Sequence, residues 1–526
     1  MSELEKPFDI PEHWHWSTFD EIGEWTGGAT PSKRKTSYWE GDIPWVSPKD
    51  MKRLEIDDTQ DHVTETALEN SAMNRVPADS LLFVTRSGIL ERTLPTARAT
   101  VPVTINQDLK ALTLSEEIDP KFLLHYTRAA ERSILRQCSK HGTTVASLES
   151  GRLYRFPVPL PPLSEQRRNV AKVEELFSNL DAGRADLQTA GQQLERYRLS
   201  VLQAAVEGRL TADWRRTHDP EPADRLLDQI LEKRREQWEE RYKRERYTSK
   251  EKKPPSGWKD RYTEPKAPET EELVDLPEGW TWATLQQLGE WTGGNTPRRS
   301  NDDYWENGTI PWVSPKDMDS WEIHETEDCM TELAVEEANA KRAPEGSILF
   351  VTRSSILQRT LPVAIARVEV TINQDLKALR MPSIVNEDYV LFWALARNGR
   401  LRYDCMKDGT TVQSLRSEDL YSYPIPLPSL TEQKQIVDEV ERLLSVADDA
   451  AATAEREETR AERLRQSILK QAFSGQLVPH DEDTSPPSID GAASERPDSE
   501  TSDGADSDVE NLLGAADPSK QIEMDL

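Results

Sequence analysis

Cysteine is nearly missing from this chain: Cys138, Cys329 and Cys405 are the three among 526 residues. So few, so widely scattered, exclude a disulfide framework and a cysteine-based zinc site, and leave buried free thiols as the expectation. Long apolar runs are missing too, none approaching the roughly 20 residues a membrane-crossing helix needs. The opening MSELEKPFDIPEHW lacks a basic-then-apolar signal layout. With a mean hydropathy of -0.73 and 31% charged residues, a soluble protein with no membrane partner is expected, placed in the cytoplasm.

The motifs of nucleotide and metal enzymes are also missing. The chain has no Walker loop, no GxGxxG after a strand and no HExxH, and by spacing its eight histidines form no ligand cluster. Pro161-Pro162 sits in LPPL, without the Asn or Asp that base-flipping amino-methyltransferases place before such a pair. Gly27-Gly28 and Gly293-Gly294 precede Thr-Pro, which turn chemistry explains better than phosphate binding. No catalytic residue and no metal are therefore expected, and the chain is not expected to act as an enzyme by itself.

Positive charge is scarce, with 66 Lys and Arg against 95 Asp and Glu and a net charge of -29. Its location matters more than its size. Residues 481–526 hold fourteen acidic residues against Arg496 and Lys520, so the tail carries -12 and the body -17. Such an acidic, arginine-favouring body is expected of an organism with a salty cytoplasm; an ordinary acidic subunit that meets basic partners is the alternative. The tail lacks the apolar content to fold alone, a short DVENLLGAA excepted.

What the chain does have is a repeat. Residues 80–112, SLLFVTRSGILERTLPTARATVPVTINQDLKAL, return almost unchanged at 347–379, an offset of 267 that also relates Gly142-Thr143-Thr144-Val145 to Gly409-Thr410-Thr411-Val412. A period this long is a duplicated domain with its attachments, not a solenoid unit, and it predicts a pseudo-two-fold plan. The openings match as well, residues 11–51 against 277–318 with one residue inserted near Gly308. LLFVT and VTINQ predict buried strands, and the apolar spacing over 120–138 predicts a helix. Each half is then a mixed α+β unit of about 150 residues, an ordinary domain size.

Each half exits through a proline-rich hinge, FPVPLPPLSEQ or YPIPLPSLTEQ, with Ser164 and Thr431 suited to cap the next element. That element is a long helix, from about residue 165 to 206 in the first copy. Val173, Leu180, Leu187, Leu194 and Val201 recur every seven residues, and the copy places Val440, Ala447, Ala454, Ala461 and Ile468 there. Two such seams predict an intramolecular coiled coil, a rod of about 60 Å at roughly 1.5 Å per residue. Arg184, Gly191 and Arg198 weaken it. The expected division is 1–163, first domain; 164–210, first helix; 211–276, a charged helix and linker; 277–430, second domain; 431–478, second helix; and 479–526, acidic tail.

Paired polar loops are the candidates for binding DNA. Lys33, Arg34 and Lys35 lie beside Tyr38-Trp39, and Arg298 and Arg299 beside Tyr304-Trp305. The aromatics read as core, and the basic residues as phosphate or guanine contacts. Arg86 and Arg353 end a predicted strand, where a base contact and a structural salt bridge are equally open. Thr143 and Thr144, with Thr410 and Thr411, form a hydroxyl-rich loop suited to phosphates or to a turn. Lys49, Lys316, Lys110 and Lys377 complete the set.

The order of these parts, Pro-Glu-X-Trp, LFVTRS, INQDLKAL, PLPPLSEQ or PLPSLTEQ, then helices ending in LQAAVEGRLT or LKQAFSGQLV, resembles the specificity subunit of type I restriction-modification systems. That resemblance covers nearly the whole chain. It implies two target-recognition domains separated by two long antiparallel helices, each reading half of a bipartite DNA sequence. It also implies two methylation subunits on the helical regions, with restriction subunits. S-adenosylmethionine, ATP and Mg2+ would belong to those partners, with no cofactor on this chain. The acidic tail departs from the family pattern. Since the two domains are near twins, a nearly palindromic target with an unspecified gap is expected. The alternatives are a coiled-coil scaffold that does not bind DNA, and a methyltransferase or nuclease acting alone.

Overall fold

The computed structural model describes residues 4–140, 145–247, 253–338, 340–407 and 412–480. Two compact units emerge, one from the described parts of Met1–Leu180 and Glu462–Leu526, the other from Asp181–Ala461. Both boundaries fall inside long helices, Leu163–Val206 and Leu430–Phe473. Among the described residues no helix is long and apolar enough to cross a membrane.

In the first unit the strands are β1 (His15–Thr18), β2 (Gly23–Gly27), β3 (Ile43–Val46), β4 (Glu55–Ile56), β5 (Asp61–Val63), β6 (Leu81–Val84), β7 (Thr96–Ala99), β8 (Thr104–Ile105), β9 (Leu109–Leu114) and β10 (Pro157–Leu160). A five-stranded sheet runs β2-β9-β6-β7-β4, and a three-stranded sheet runs β5-β3-β8. β6 is buried at all four positions, as its uninterrupted apolar run requires.

The second unit repeats this plan, and there the reason for burial on both faces is plain. Of the strand Ile348–Val351, Ile348 and Phe350 join the core made with Glu387–Ala396. Leu349 and Val351 join a separate core with Val313 and Ile372 of the smaller sheet. Side chains alternate across a strand, so the central sheet is the middle layer of three. The inserted residue of the second copy is absorbed at Asn307, which adopts a left-handed φ of 56°, a conformation Asn tolerates.

Three local expectations are corrected. The helix expected over 120–138 is two, Pro120–Ala129 and Glu131–Cys138, joined at Ala130. The break lets Phe122 and Tyr126 of the first and Ile134 and Cys138 of the second all reach one core. The proline-rich hinge is itself a strand: β10 pairs antiparallel with β1. Its prolines alternate at 157 and 159, so both missing N–H groups lie on one side and the intervening residues keep the ladder. Neither expected cap is the cap. Ser164 and Thr431 sit inside their helices, and in the second copy Ser429 Oγ accepts from Glu432 N at 3.2 Å.

What fixes each long helix to its domain is the Glu-Gln pair after the prolines. Gln166, fully buried, donates to the Pro161 carbonyl at 3.0 Å and accepts from Asp119 N at 2.9 Å. Gln433 repeats both bonds with Pro428 and Asn386, each at 2.9 Å. Glu165 and Glu432 accept from the indoles of Trp14 and Trp280 at 3.0 and 2.9 Å. The helix start is thereby tied to the domain's first strand and its main helix.

Within each unit the long helices run antiparallel. In the first, Asn169 donates to the Ala472 carbonyl at 2.8 Å and Arg465 lies over the Phe177 ring. In the second, Arg184 pairs with Glu458 at 2.8 Å and Arg198 with Asp448. Of the seam, Val173, Val201, Val440, Ala447 and Ile468 are buried, while Leu180, Leu187, Leu194, Ala454 and Ala461 are half-buried. Arg184 and Arg198, which weaken the apolar row, bridge to the facing helix instead.

The charged helix Ala223–Arg246 lays Leu226 and Ile230 into the second unit's core. Cys138 and Cys405 are buried thiols pushed up to about 12 by desolvation. Cys329 is only half-buried, contrary to expectation.

Candidate nucleic-acid interface

Arg86 stands at the end of β6, and the backbone around it is pinned from two sides. The Thr85 and Arg86 amides both donate to the Asp108 carbonyl, at 2.8 and 3.2 Å. Ser87 N donates to the Ala146 carbonyl at 3.0 Å, and Leu148 N to that of Thr85 at 2.8 Å. The side chain is nevertheless 65% exposed, its Nε 3.9 Å from Asp108 Oδ1, too far for a hydrogen bond.

Arg353 reproduces this. Thr352 and Arg353 donate to the Asp375 carbonyl at 2.7 and 3.2 Å, and the guanidinium is 62% exposed, 3.9 Å from Asp375. A rigid backbone under a side chain with almost no internal work is the arrangement a readout residue needs.

The neighbours are polar and equally well held. Gln107 accepts from the Thr30 hydroxyl, and Gln374 from Thr296. Gly28 explains why the backbone before Thr30 lies so close to that before Gln107: a Cβ there would sit 2.0 Å from the Asn106 carbonyl oxygen and 2.4 Å from that of Ile105. Close backbone approach is therefore the reason for the glycine. In the second domain Arg353, Ser354, Ser355, Gln374, Asp375, Pro315 and Val412 line a depression of about 350 Å³. Sequence reasoning misses the glutamines, although the repeated INQDLKAL contains them; the lysine of that motif draws attention from the exposed amide three residues earlier.

The other candidates divide. Lys33 and Arg34 are exposed and make no hydrogen bond or ion pair among the described residues. Lys35 is also exposed and donates to the Tyr38 hydroxyl at 3.0 Å. The Arg298 guanidinium is exposed.

Arg299 is committed elsewhere, against expectation. It lies 4.0 Å from the Trp305 ring and 4.5 Å from that of Trp312, and pairs with Asp328 at 2.8 Å, which holds that carboxyl below its ordinary range. Lys49 pairs with Asp61 at 2.8 Å, and Lys316 with Glu327 at 2.6 Å and Asp328 at 3.2 Å; these contacts raise both lysines' pKa. Lys110 and Lys377 do not join the surface set. They lie opposite Phe83 and Phe350 on the helix-covered sheet face, and Lys110 sits 5.4 Å over the Tyr154 ring. Thr143, Thr144, Thr410 and Thr411 lie outside the described residues.

The expectation that histidines form no ligand cluster does not hold. His13, Glu165 and His480 converge, with His13 Nε2 3.2 Å and His480 Nδ1 3.7 Å from Glu165 Oε2. Spacing gives no sign of it, because the domain start, the first long helix and the chain beyond the second long helix meet only in the fold.

The model of the type I restriction modification DNA specificity domain matches residues 11–188 and again 277–455. The Escherichia coli type I restriction enzyme EcoR124I/EcoR124II specificity subunit is 42% identical over 188 residues, 35% of this chain and 46% of that protein. The match thus spans under half of that relative's length. The MjaIX specificity subunit of Methanocaldococcus jannaschii is 24% identical over 427 residues, 80% of this chain and 84% of that protein. Two solved structures share the fold. The HsdS subunit from Thermoanaerobacter tengcongensis gives a TM-score of 0.51 at 18% identity, over 89% of this chain and 99% of that one. A chain from a study of complex assembly and conformational transition of the type I R-M system gives 0.60 at 19% identity, over 89% of this chain and 100% of that one.

Proposed function

Because this chain belongs to the family of type I restriction modification DNA specificity proteins, we propose that it supplies the sequence recognition of a type I restriction-modification complex and performs no chemistry itself. Its two domains each read one half of a bipartite, nearly palindromic double-stranded DNA target. The observation that carries this reading is the pair Arg86 and Arg353: the same residue, on the same pinned backbone, exposed to the same extent in both halves. A guanidinium so held is suited to fork onto guanine or a phosphate.

The long helices set the distance between half-sites and carry two methylation subunits, with restriction subunits joining the assembly. S-adenosylmethionine, ATP and Mg2+ belong to those partners. The complex works on cellular DNA in the cytoplasm. The body's acidity is compatible with this, because the cations of the first recognition loop, Lys33, Arg34 and Lys35, are clustered and exposed.

The division of loops supports half-sites that are similar rather than identical. Residues 32–37 present three cations and no anion, whereas residues 298–303 present two cations and two anions. One of the latter cations, Arg299, is held between two tryptophans. The test is binding of bipartite duplexes by the chain assembled with its methylation subunits, at several stated salt concentrations. Salt-dependent affinity that requires both half-sites at a fixed gap is expected; equal affinity for scrambled duplexes would leave the scaffold reading.

A further inference from the structure

The duplication supplies an internal control for one buried group. Glu432 and Glu165 are each 1% exposed and each accept an indole N–H on one oxygen. A carboxylate so buried needs a cation or strong donors to offset its lost hydration. Glu432 has both: Arg215 Nε donates at 3.0 Å and the Thr211 hydroxyl at 2.7 Å, with Arg215 also over the Trp280 ring.

Glu165 has neither. The offset of 267 places Val478 where Thr211 stands and Glu482 where Arg215 stands. Two histidines peculiar to this half come instead, since His13 corresponds to Gly279 and His480 to Asp213. Their rings stack at 3.6 Å between centroids, and both present a nitrogen to the oxygen that Trp14 leaves open. Two imidazole nitrogens and a carboxylate oxygen converging on one point are a donor set that one divalent ion can share.

The spacing fits that arrangement. Zinc bonds of about 2.0–2.2 Å to nitrogen and oxygen put the ligand atoms of a tetrahedral site about 3.3 Å apart. The observed separations from Glu165 Oε2 are 3.2 and 3.7 Å, and all three ligand atoms lie within 4.8 Å of one another. The set of two histidines and one carboxylate, with a fourth position open towards solvent beside exposed His480, suits zinc or a similar divalent transition ion.

We propose that His13, Glu165 and His480 form a divalent transition-metal site that clasps the chain beyond the second long helix onto the first domain. The route of that chain is already set. Gly475 takes a left-handed φ of 69°, and a Cβ there would lie 2.2 Å from Pro11, so the turn after the helix passes against the domain's opening residues. The ion replaces the Arg215 guanidinium of the other half with a bond that depends on metal supply.

The test uses the full chain, stripped of metal and dialysed against micromolar free Zn2+, followed by metal analysis; Co2+ provides a visible absorption signature of four-coordinate binding. One equivalent of Zn2+ per chain is expected, together with a zinc-dependent rise in thermal midpoint. His480→Ala and His13→Ala should each weaken binding on the order of tenfold or more. His480→Arg should abolish zinc binding while keeping the metal-free midpoint at or above that of the parent, because it sets a guanidinium against Glu165 from the position that already reaches it. Substoichiometric zinc, or stoichiometric zinc unchanged by these replacements, would overturn the proposal. A clasp strengthened by acid but indifferent to zinc would overturn it in favour of a protonated histidine.

Discussion

Arg86 and Arg353 combine a fixed backbone with a side chain that has almost nothing to do inside the protein. Arg86→Ala or Arg353→Ala should therefore weaken DNA binding by about 1–3 kcal/mol, while the thermal midpoint stays within a degree or two, since an exposed contact at 3.9 Å contributes little. Binding titrations at fixed salt, beside thermal melts, check this; unchanged affinity with a lowered midpoint would make the arginines structural. A second residue carries a pH signature. His125 is buried, its Nδ1 has no partner among the described residues, and desolvation pushes its pKa down to about 4, with Arg128 nearby adding to the effect. The unfolded chain binds that proton first, so stability is lost as pH falls from about 6.5 towards 4, about 2 kcal/mol of it between pH 7 and pH 5. The second half has Phe392 at this position. His125→Phe should flatten the acid limb, as read by denaturant midpoints at the two pH values; a loss as steep as the parent's would place it elsewhere. At this scale the sequence is a partial guide. It marks Arg86 but does not separate Lys33 from Arg299 or Lys110, because Asp328 and Tyr154, which engage the latter two, are distant along the chain.

At the scale of elements, the heptad pattern makes both long helices legible, since apolar residues seven apart line one stripe of a helix and no regular stripe of a strand. Their attachment is not legible. The Glu-Gln pair reads as ordinary helix-start composition until Trp14, Trp280, Asp119 and Asn386 are seen around it. The pair Arg215–Glu432, with 14% and 1% exposure, makes that attachment testable: Arg215→Ala leaves a buried carboxylate without its cation and should cost about 3–5 kcal/mol. A loss below about 1 kcal/mol in denaturant unfolding, the range of an exposed pair, would contradict this. The proline hinge is misjudged from sequence because alternate prolines read as a stop, although they leave every second N–H to pair. The helices' proposed role as a spacer has its own test. Inserting seven residues near Gly191 and seven near Ala451 keeps the seam in phase and adds about 10 Å, or about three base pairs at 3.4 Å each. The preferred gap should lengthen by that amount; an unaltered gap would remove the helices as its ruler.

For the whole molecule, the duplication is the most informative feature, because two copies of one domain imply two similar tasks before any chemistry is assigned. It also turns each half into a control for the other, which is how the histidine cluster against Glu165 and the phenylalanine at the position equivalent to His125 acquire meaning. The family resemblance visible in the ordered motifs agrees with the match over both halves. The bases read cannot be extracted from the sequence, since base identity depends on how side chains such as Arg86 and Gln107 meet a groove. The near-twin domains are proposed to inspect two halves of one split site in opposite orientations. The decisive measurement is long-read sequencing of modified bases, in cells carrying this chain with its methylation subunits and again after its deletion. One motif with an unspecified gap and closely related, inverted halves, lost on deletion, is expected; a continuous motif, two unrelated halves, or a motif that survives deletion would refute paired recognition by the two domains.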